Sequence, residues 1–156
     1  MKKRNLYVLI LSFLIVFLVA FIGSIFTSFS VDSEWYYSIK PELTPPNWIF
    51  PVIWNILFFM IALSLFFSWI KANKKQKIKI AIVFGINLLL NVSWSFLFFF
   101  LKNPSLAFAD LILLEFSIIA MIFTTGKIEK KSALLLIPYF LWIIFAGVLN
   151  YLIVFN

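Results

Sequence analysis

Long apolar runs separated by short polar segments dominate this sequence. Each run has about the 20 residues that are needed to cross roughly 30 Å of hydrocarbon at a rise of 1.5 Å per residue. The pattern therefore predicts an all-α integral membrane protein, a bundle of five transmembrane helices. The predicted spans are residues 6–29, 48–70, 78–101, 104–125 and 132–155.

Only one segment between the runs, residues 30–47, is long enough to have structure of its own. It contains Pro41, Pro45 and Pro46, and proline fixes φ and moves the preceding residue away from the α region. The pattern predicts a stiff, extended segment. It is either an aromatic belt at the membrane interface ahead of a helix start, or a lid on the outer mouth of the bundle. Length and stiffness favour the lid, and we call residues 30–47 the lid segment.

The composition supports a membrane location and narrows the chemistry. Hydrophobic residues make up 64% of the 156 and charged residues 12%, whereas a soluble domain is nearer one half and one quarter. The length suits one domain. The sequence has no cysteine and no histidine, so disulfides, thiol catalysis and the usual zinc and haem ligands are excluded. No metal site and no required cofactor are predicted.

The charges are distributed unevenly along the chain. Eleven of the thirteen basic residues lie in segments 2–4, 71–79 and 127–131, on one side of the predicted membrane, and only Lys40 and Lys102 lie on the other. The positive-inside rule then predicts a cytoplasmic N-terminus and an external C-terminus. The first run exceeds the apolar core of a signal peptide, so a retained span is expected. The net charge of +7 is a topology signal that also attracts anionic lipid, and not a sign of nucleic-acid binding. The short chain with lysine-rich loops suits a bacterial plasma membrane.

Three spans carry residues at spacings that place them on one helix face. An amide in hydrocarbon is costly unless it is paired, so these faces should point into the bundle. Hydrogen bonds between helices and ligand contacts both explain the amides, and packing alone would explain the aromatic rings. The faces are Pro51, Trp54 and Phe58 in the second span, Asn87, Asn91 and Trp94 in the third, and Trp142, Ala146 and Asn150 in the fifth.

The fourth span holds two carboxyl groups, Asp110 and Glu115. Ionisable residues at this depth rarely face lipid. Five residues correspond to a rotation of about 140° around a helix, so the two groups cannot share one face. A paired-carboxylate acid–base site is therefore not predicted, but a proton-coupled transporter or channel that uses either group is one alternative function.

Taken together, several motifs resemble the signature of the TspO/MBR family, the tryptophan-rich sensory proteins related to the mitochondrial translocator protein. The resemblance extends over residues 32–151, with the motifs in the right order on the right spans. The motifs are Trp35-Tyr36, Lys40-Pro41, Thr44-Pro45-Pro46-Asn47-Trp48, Trp54, Asn91-Val92-Ser93-Trp94, Asp110, Pro138-Tyr139, Trp142, Phe145-Ala146 and Leu149-Asn150-Tyr151.

The resemblance implies a five-helix bundle, often dimeric, with a ligand pocket closed by the first loop. Family ligands include porphyrins and other tetrapyrroles, sterols in animal members, and isoquinoline carboxamide or benzodiazepine drugs. The resemblance therefore implies a membrane protein that binds porphyrin-like molecules and senses, transports or photodegrades them, with Trp54 or Trp142 as the redox-active ring. Carried over position by position, the pocket comprises Tyr36, Pro46, Trp54, Asn87, Asn91, Trp94, Asp110, Trp142 and Ala146.

The sequence departs from the family pattern at three places. Leu43 stands where an aromatic residue is common, and Asn87 stands where other members carry glutamine. No lysine or arginine follows Tyr151, so the cholesterol-recognition pattern is incomplete. This last departure argues against a sterol as the native ligand.

Two further hypotheses concern partners. If the protein is a regulatory scaffold, its partner would bind the basic loops, including Lys74, Lys75 and Lys77. A homodimer is suggested by small-residue pairs whose spacing permits close helix contacts. These pairs are Ala20 with Ser24 and Ala81 with Gly85.

Overall fold

A computed structural model of the protein describes residues 3–155; Lys2, counted above among the basic residues, and Asn156 lie outside the described residues. Five of its helices are long and apolar enough to cross a membrane. This confirms the predicted all-α fold with five spans, and the chain is a multi-pass integral membrane protein. The helices are α1 (Lys3–Ser28), α2 (Glu34–Ile39), α3 (Ile49–Lys71), α4 (Lys74–Ser95), α5 (Pro104–Gly126) and α6 (Lys130–Phe155).

Local capping sets where two of the spans begin. Asn73 Oδ1 accepts a hydrogen bond from the Gln76 backbone N–H (3.0 Å), and Gln76 Oε1 accepts one from the Asn73 N–H (2.9 Å). This capping box starts α4 at Lys74, four residues before the apolar run begins, because capping satisfies the first backbone donors whatever the hydropathy. At α5, Asn103 Oδ1 accepts a hydrogen bond from the Leu106 N–H (3.1 Å). Asn103 is the cap, and the helix begins at the next residue, where the predicted span also begins.

The third span does not end as a regular α-helix. Phe96–Phe100 forms a π-helical turn, closed by a hydrogen bond from the Leu101 N–H to the Phe96 carbonyl (2.9 Å). The chain then reverses through Lys102, whose φ of 50° is left-handed. Such turns inside helices are rare and recur at functional sites. Here the turn buries Phe98 and Phe99, which hydropathy alone does not distinguish from their lipid-facing neighbours.

The five long helices form a closed ring in the order α1, α3, α6, α5, α4. The interior of the ring is filled by one apolar cluster, which includes Ile61, Ile118 and Tyr139, each 0% exposed. Large apolar side chains cover the outside as well; Leu89 is 73% exposed. In a membrane protein this outer surface faces lipid, so the helices are apolar on both faces.

The lysine-rich segments lie at the same end of the bundle. Lys71 Nζ, at the end of α3, lies 4.0 Å from Glu129 Oε2, in the turn between α5 and α6. This contact joins two of the three basic segments. Which side of the membrane this end faces stays a prediction from the positive-inside rule.

The lid segment differs in part from the extended structure that its prolines predict. Residues 40–48 are not helical, but Glu34–Ile39 form α2 before them. The hydroxyl of Ser33 accepts a hydrogen bond from the Tyr36 N–H (3.3 Å) and starts this short helix. Asn47 Nδ2 donates to the Val31 carbonyl (3.3 Å), so the two ends of the segment are held together.

The two small-residue pairs have different surroundings. Ala20 packs against the apolar core, whereas Ser24 is exposed. Ala81 is exposed, and a Cβ added at Gly85 would meet no atom within 4 Å. The α4 pair is therefore on open surface, where a second helix has room to approach, and the homodimer stays a prediction.

Candidate ligand-binding site

A chain of hydrogen bonds crosses the bundle at Tyr139. The Tyr139 hydroxyl accepts a hydrogen bond from Asn91 Nδ2 (3.1 Å) and donates one to Asn87 Oδ1 (3.3 Å). Asn87 Nδ2 in turn donates to the Ser117 hydroxyl (2.8 Å). All four residues are buried, and they join α4, α5 and α6. Both amides therefore have hydrogen-bond partners within the protein, as the structural interpretation of these asparagines predicts.

A second polar contact fixes the indole of Trp94 further along α4. Trp94 Nε1 donates to Asn150 Oδ1 (3.2 Å), and Asn150 Nδ2 donates to the Pro104 carbonyl (2.9 Å). The bonds link the last turns of α4 and α6 to the first turn of α5. Trp94 also stacks on Phe98 of the π-helical turn, with ring centroids 5.2 Å apart. Its indole is held at both its edge and its face.

Two indoles lie at the contact between α3 and α6. Trp54 of α3 meets Tyr139 of α6 edge-on, with centroids 6.2 Å apart, and Trp142 of α6 meets Phe50 of α3 in the same way at 5.8 Å. Beside Trp142 is a groove of about 380 Å³. Its walls are almost wholly apolar. The groove is lined by Ile53, Ile56, Leu57, Pro138, Leu141 and Trp142.

The lid segment meets the bundle at a separate aromatic cluster. Tyr36 is buried and lies against Phe98 and Phe99 of the π-helical turn, with centroids 6.3 and 5.6 Å away. Burial raises the pKa of the Tyr36 hydroxyl above its usual value, and the neighbouring Tyr37 adds to the rise. Pro46 is exposed, and its carbonyl accepts a hydrogen bond from the Ile49 N–H (2.9 Å) at the start of α3.

Comparison with known proteins identifies the family. The TspO/MBR family model matches residues 12–155. The chain is similar to the tryptophan-rich protein TspO of Archaeoglobus fulgidus, with 39% identity over 96% of each chain. It is also similar to the translocator protein of Bos taurus (32%, over 76% of this chain and 72% of the relative) and to the tryptophan-rich sensory protein of Cereibacter sphaeroides (26%, over 76% and 73%). The chain belongs to the TspO/MBR family.

Most of the residues that the TspO/MBR resemblance assigns to the pocket lie together. Four of them pack against the cluster that contains Tyr139: Trp54, Trp94, Trp142 and Ala146. Both asparagines form a hydrogen bond with the hydroxyl of that tyrosine. Tyr36 belongs to the separate aromatic cluster with Phe98 and Phe99, and Trp94 packs against both clusters. Pro46 stands apart on the surface. Of the whole set, only Trp142 lines the groove between α3 and α6.

Close approach of α5 and α6 explains the small residues beside Ala146. A Cβ added at Gly147 would lie 3.3 Å from Leu111 Cδ2, a tight contact. A larger residue there would push the two helices apart or displace Leu111. In this TspO/MBR chain the small residues of α6 therefore serve helix packing at Gly147.

Three residues at the centre of these contacts were not among the predicted pocket residues. They are Tyr139, Ser117 and Asn150. Helical spacing contains a signal for each of them, since Tyr139 and Asn150 fall on the face of Trp142 and Ala146, and Ser117 lies two turns after Asp110. What spacing does not show is which side chain on a face becomes the shared partner of the others.

The two carboxyls of α5 occupy different places, as their spacing predicts. Asp110 is buried on the inward face, and its Oδ2 has no hydrogen-bond partner among the described residues. Glu115 is partly exposed as a residue, yet both of its carboxyl oxygens are buried without a partner there. An unpaired ionisable group at this depth is costly, so these positions are candidates for function.

Among residues 3–155, no three Asp or Glu side chains come together as a metal site would require. The side chains that surround Tyr139 are the indole of Trp54, the amides of Asn87 and Asn91, and, through Asn87, the hydroxyl of Ser117. What the arrangement supplies chemically is a set of apolar and aromatic surfaces with a few fixed polar groups, which is the make-up of a ligand-binding site.

Proposed function

We propose that this TspO/MBR protein binds porphyrin-like tetrapyrroles at the contact between α3 and α6. The observation that carries the proposal is the apolar groove of about 380 Å³ with Trp142 in its wall. Ligand pockets are typically of about 300–1,000 Å³ and mostly apolar, with few polar groups. The groove suits a flat apolar ligand that inserts part of its ring between the helices.

The aromatic side chains supply the expected contacts. Indole rings stack on flat conjugated systems and contribute about 0.5–1.5 kcal/mol beyond the area they bury. Binding then rests on the macrocycle and not on a bound metal. The isoquinoline carboxamide drugs, which are flat and apolar with one amide, would compete for the same groove.

The names of the relatives support a role in sensing or transport. One relative is called a sensory protein and another a translocator protein. A protein that binds a tetrapyrrole in the membrane could signal its presence or pass it on, and both roles begin with the same binding step. Binding of the tetrapyrrole is therefore the step that an experiment should test first.

Titration of protoporphyrin IX against the purified protein in detergent tests the groove. Trp142→Phe should weaken binding by about 10-fold, because phenylalanine offers less stacking surface, and Trp54→Phe tests the second indole that the family resemblance assigns to the pocket. Trp48→Phe is the matched control, since Trp48 is 68% exposed and contributes nothing to the groove. Binding is followed by porphyrin absorbance, because each variant lacks one indole. No binding, or equal binding by all three variants, would remove the proposed site.

Light-dependent degradation is tested with the same samples. At saturating porphyrin, illumination should bleach the ligand faster with the wild-type protein than with Trp54→Phe or Trp142→Phe if an indole is the redox-active ring. Trp48→Phe should match the wild type. Equal bleaching in all samples would indicate ordinary photochemistry of the porphyrin.

The unpaired carboxyls favour a second candidate function, proton-coupled transport. Both oxygens of Glu115 and one oxygen of Asp110 are buried without a partner among residues 3–155. Uptake of a porphyrin into proteoliposomes would then depend on a pH gradient and disappear in Glu115→Gln. Uptake that persists in that variant would leave binding as the better proposal.

The proposed location is a bacterial plasma membrane, with the lysine-rich end inside. The sequence has no cysteine, so labelling of a single introduced cysteine shows which side of the membrane that residue faces. In intact cells, a membrane-impermeant maleimide should label Ser105→Cys, at the opposite end of the bundle, and not Lys75→Cys. The reverse labelling would overturn the predicted orientation.

A further inference from the structure

A second groove lies at the lysine-rich end of the bundle, between the start of α4 and the end of α5. Its volume is about 190 Å³. It shares no residue with the groove between α3 and α6, so nothing proposed for the tetrapyrrole applies to it. Its lining combines cationic, polar and apolar side chains. They are Gln76, Lys79, Phe123, Thr124, Lys127 and Ile128.

The two lysines of this groove have no carboxylate partner among the described residues. Within residues 3–155 the only carboxylate within 4.0 Å of a lysine is that of Glu129, and it lies against Lys71. Lys79 and Lys127 come from different helices and are both exposed. Two ammonium groups that face one cavity repel each other unless an anion lies between them. An anion in the groove would therefore be attracted by both lysines.

Polar groups of the groove are arranged to donate to an anion. The side-chain oxygen of Gln76 accepts the hydrogen bond of the capping box, which fixes the amide and leaves its NH₂ group free to donate. Thr124 adds a hydroxyl on the α5 side. Together with the lysines, these groups could make several charge-assisted hydrogen bonds to one tetrahedral anion.

The apolar part of the lining indicates where the anion comes from. Phe123 is 67% exposed and lies directly beside the lysines, on the outer surface of the bundle. Ile128 completes the apolar wall. A free phosphate would gain nothing from such a wall, whereas a phospholipid places its acyl chains against one. Cationic groups at the end of a membrane span are the usual setting for an anionic headgroup.

From these contacts we infer that the groove between α4 and α5 binds the phosphate of an anionic phospholipid. Lys79 and Lys127 hold the phosphate oxygens, and Gln76 and Thr124 donate hydrogen bonds to them. The acyl chains run along Phe123. A zwitterionic choline lipid is disfavoured, because its own cation meets the two lysines. The inference does not depend on tetrapyrrole binding.

Native mass spectrometry of the purified full chain in detergent tests the site. The probes are phosphatidylglycerol, phosphatidylcholine and glycerol 3-phosphate. Phosphatidylglycerol should be retained at least 10-fold more strongly than phosphatidylcholine, and glycerol 3-phosphate should not be retained at all. Each lysine near an anionic headgroup contributes roughly a five-fold effect. Lys79→Gln with Lys127→Gln should therefore weaken phosphatidylglycerol binding by about 25-fold.

The matched control is Lys74→Gln with Lys75→Gln. This variant removes the same charge from exposed positions at the same end of the bundle, outside the groove. It should bind phosphatidylglycerol within two-fold of the wild type. Equal losses in both double variants would overturn the site in favour of diffuse attraction by the basic loops.

Two other results would also overturn the inference. Equal retention of the two lipids would exclude an anionic headgroup site, and tight retention of glycerol 3-phosphate would indicate a site for a soluble phosphate. Thr124→Val provides a second test that leaves the charge unchanged. It should weaken phosphatidylglycerol binding by about three-fold, and no change there would count against the proposed hydrogen bonds.

Discussion

Two buried tyrosines, Tyr139 and Tyr36, are held in place by different forces. Tyr139 is 0% exposed at the centre of the bundle, and its hydroxyl takes part in two hydrogen bonds with asparagines of α4. Tyr36 is 6% exposed in the lid segment, and it packs against the aromatic rings of the π-helical turn and of Tyr37. One residue is fixed by directional bonds and the other by aromatic packing.

The difference follows from the distance to water. A hydroxyl that is buried deep in the bundle is removed from bulk water, so it must find a hydrogen-bond partner in the protein. At the membrane surface, water can satisfy a hydroxyl at the edge of an aromatic cluster, and packing suffices. The network at Tyr139 therefore stabilises the bundle, whereas the cluster at Tyr36 positions the lid segment.

The largest effect on stability should come from Asn87→Ala. The change removes the hydrogen bonds to Ser117 and Tyr139, worth about 0.6 kcal/mol each for bonds between membrane helices, and leaves a void. We expect a loss of about 2 kcal/mol in the free energy of unfolding, measured by denaturation in detergent. Asn55→Ala is the control, because Asn55 is exposed and bonds only to the Pro51 carbonyl of its own helix. Equal losses in both variants would contradict a central role for the network.

A smaller effect, about 1 kcal/mol, is expected for Tyr139→Phe. The change removes the hydroxyl and its two hydrogen bonds but keeps the ring against Trp54. Comparison of unfolding with Tyr7→Phe, in which the lost hydroxyl belongs to a side chain that is 67% exposed, isolates the effect of burial. If the two variants unfold alike, the hydroxyl of Tyr139 is not the element that holds the helices together.

The smallest effect concerns Tyr36 and appears only in alkali. Burial holds the pKa of Tyr36 above its usual value of about 10, so the folded state favours the neutral phenol. Its contribution to stability is complete below pH 10 and is lost as the pH rises through the folded pKa. Thermal midpoints of the wild type should therefore fall above pH 10 more steeply than those of Tyr36→Phe. Parallel curves would show that the hydroxyl does not titrate with the folding of the lid segment.

Much of the fold could be read from the sequence because a bilayer imposes simple rules. The number of spans follows from run length, and the pairing of Asn87 and Asn91 follows from the cost of an amide in hydrocarbon. The start of α4 at Lys74 was missed, because hydropathy does not register a capping box. Helix α2 was missed for a related reason, since prolines that follow it dominate the pattern of the lid segment.

The candidate site was less predictable than the fold. The α-helical periodicity groups Trp142 with Ala146 and Asn87 with Asn91, but it does not show which helices are neighbours. The ring order places α6 between α3 and α5. Only that order brings Trp54 against Tyr139 and opens a groove beside Trp142.

The sequence by itself determined that this chain is a five-span membrane protein, and its motifs indicated the family that comparison then confirmed. These conclusions depend on run length and residue identity, which are local properties. The tertiary structure decided which polar groups are paired. Among residues 3–155 it left one oxygen of Asp110 and both oxygens of Glu115 without a hydrogen-bond partner, and it joined the amides of α4 to Tyr139. In a bundle whose helices are apolar on every face, hydropathy does not specify the neighbours of a helix, and the packing of side chains between helices does.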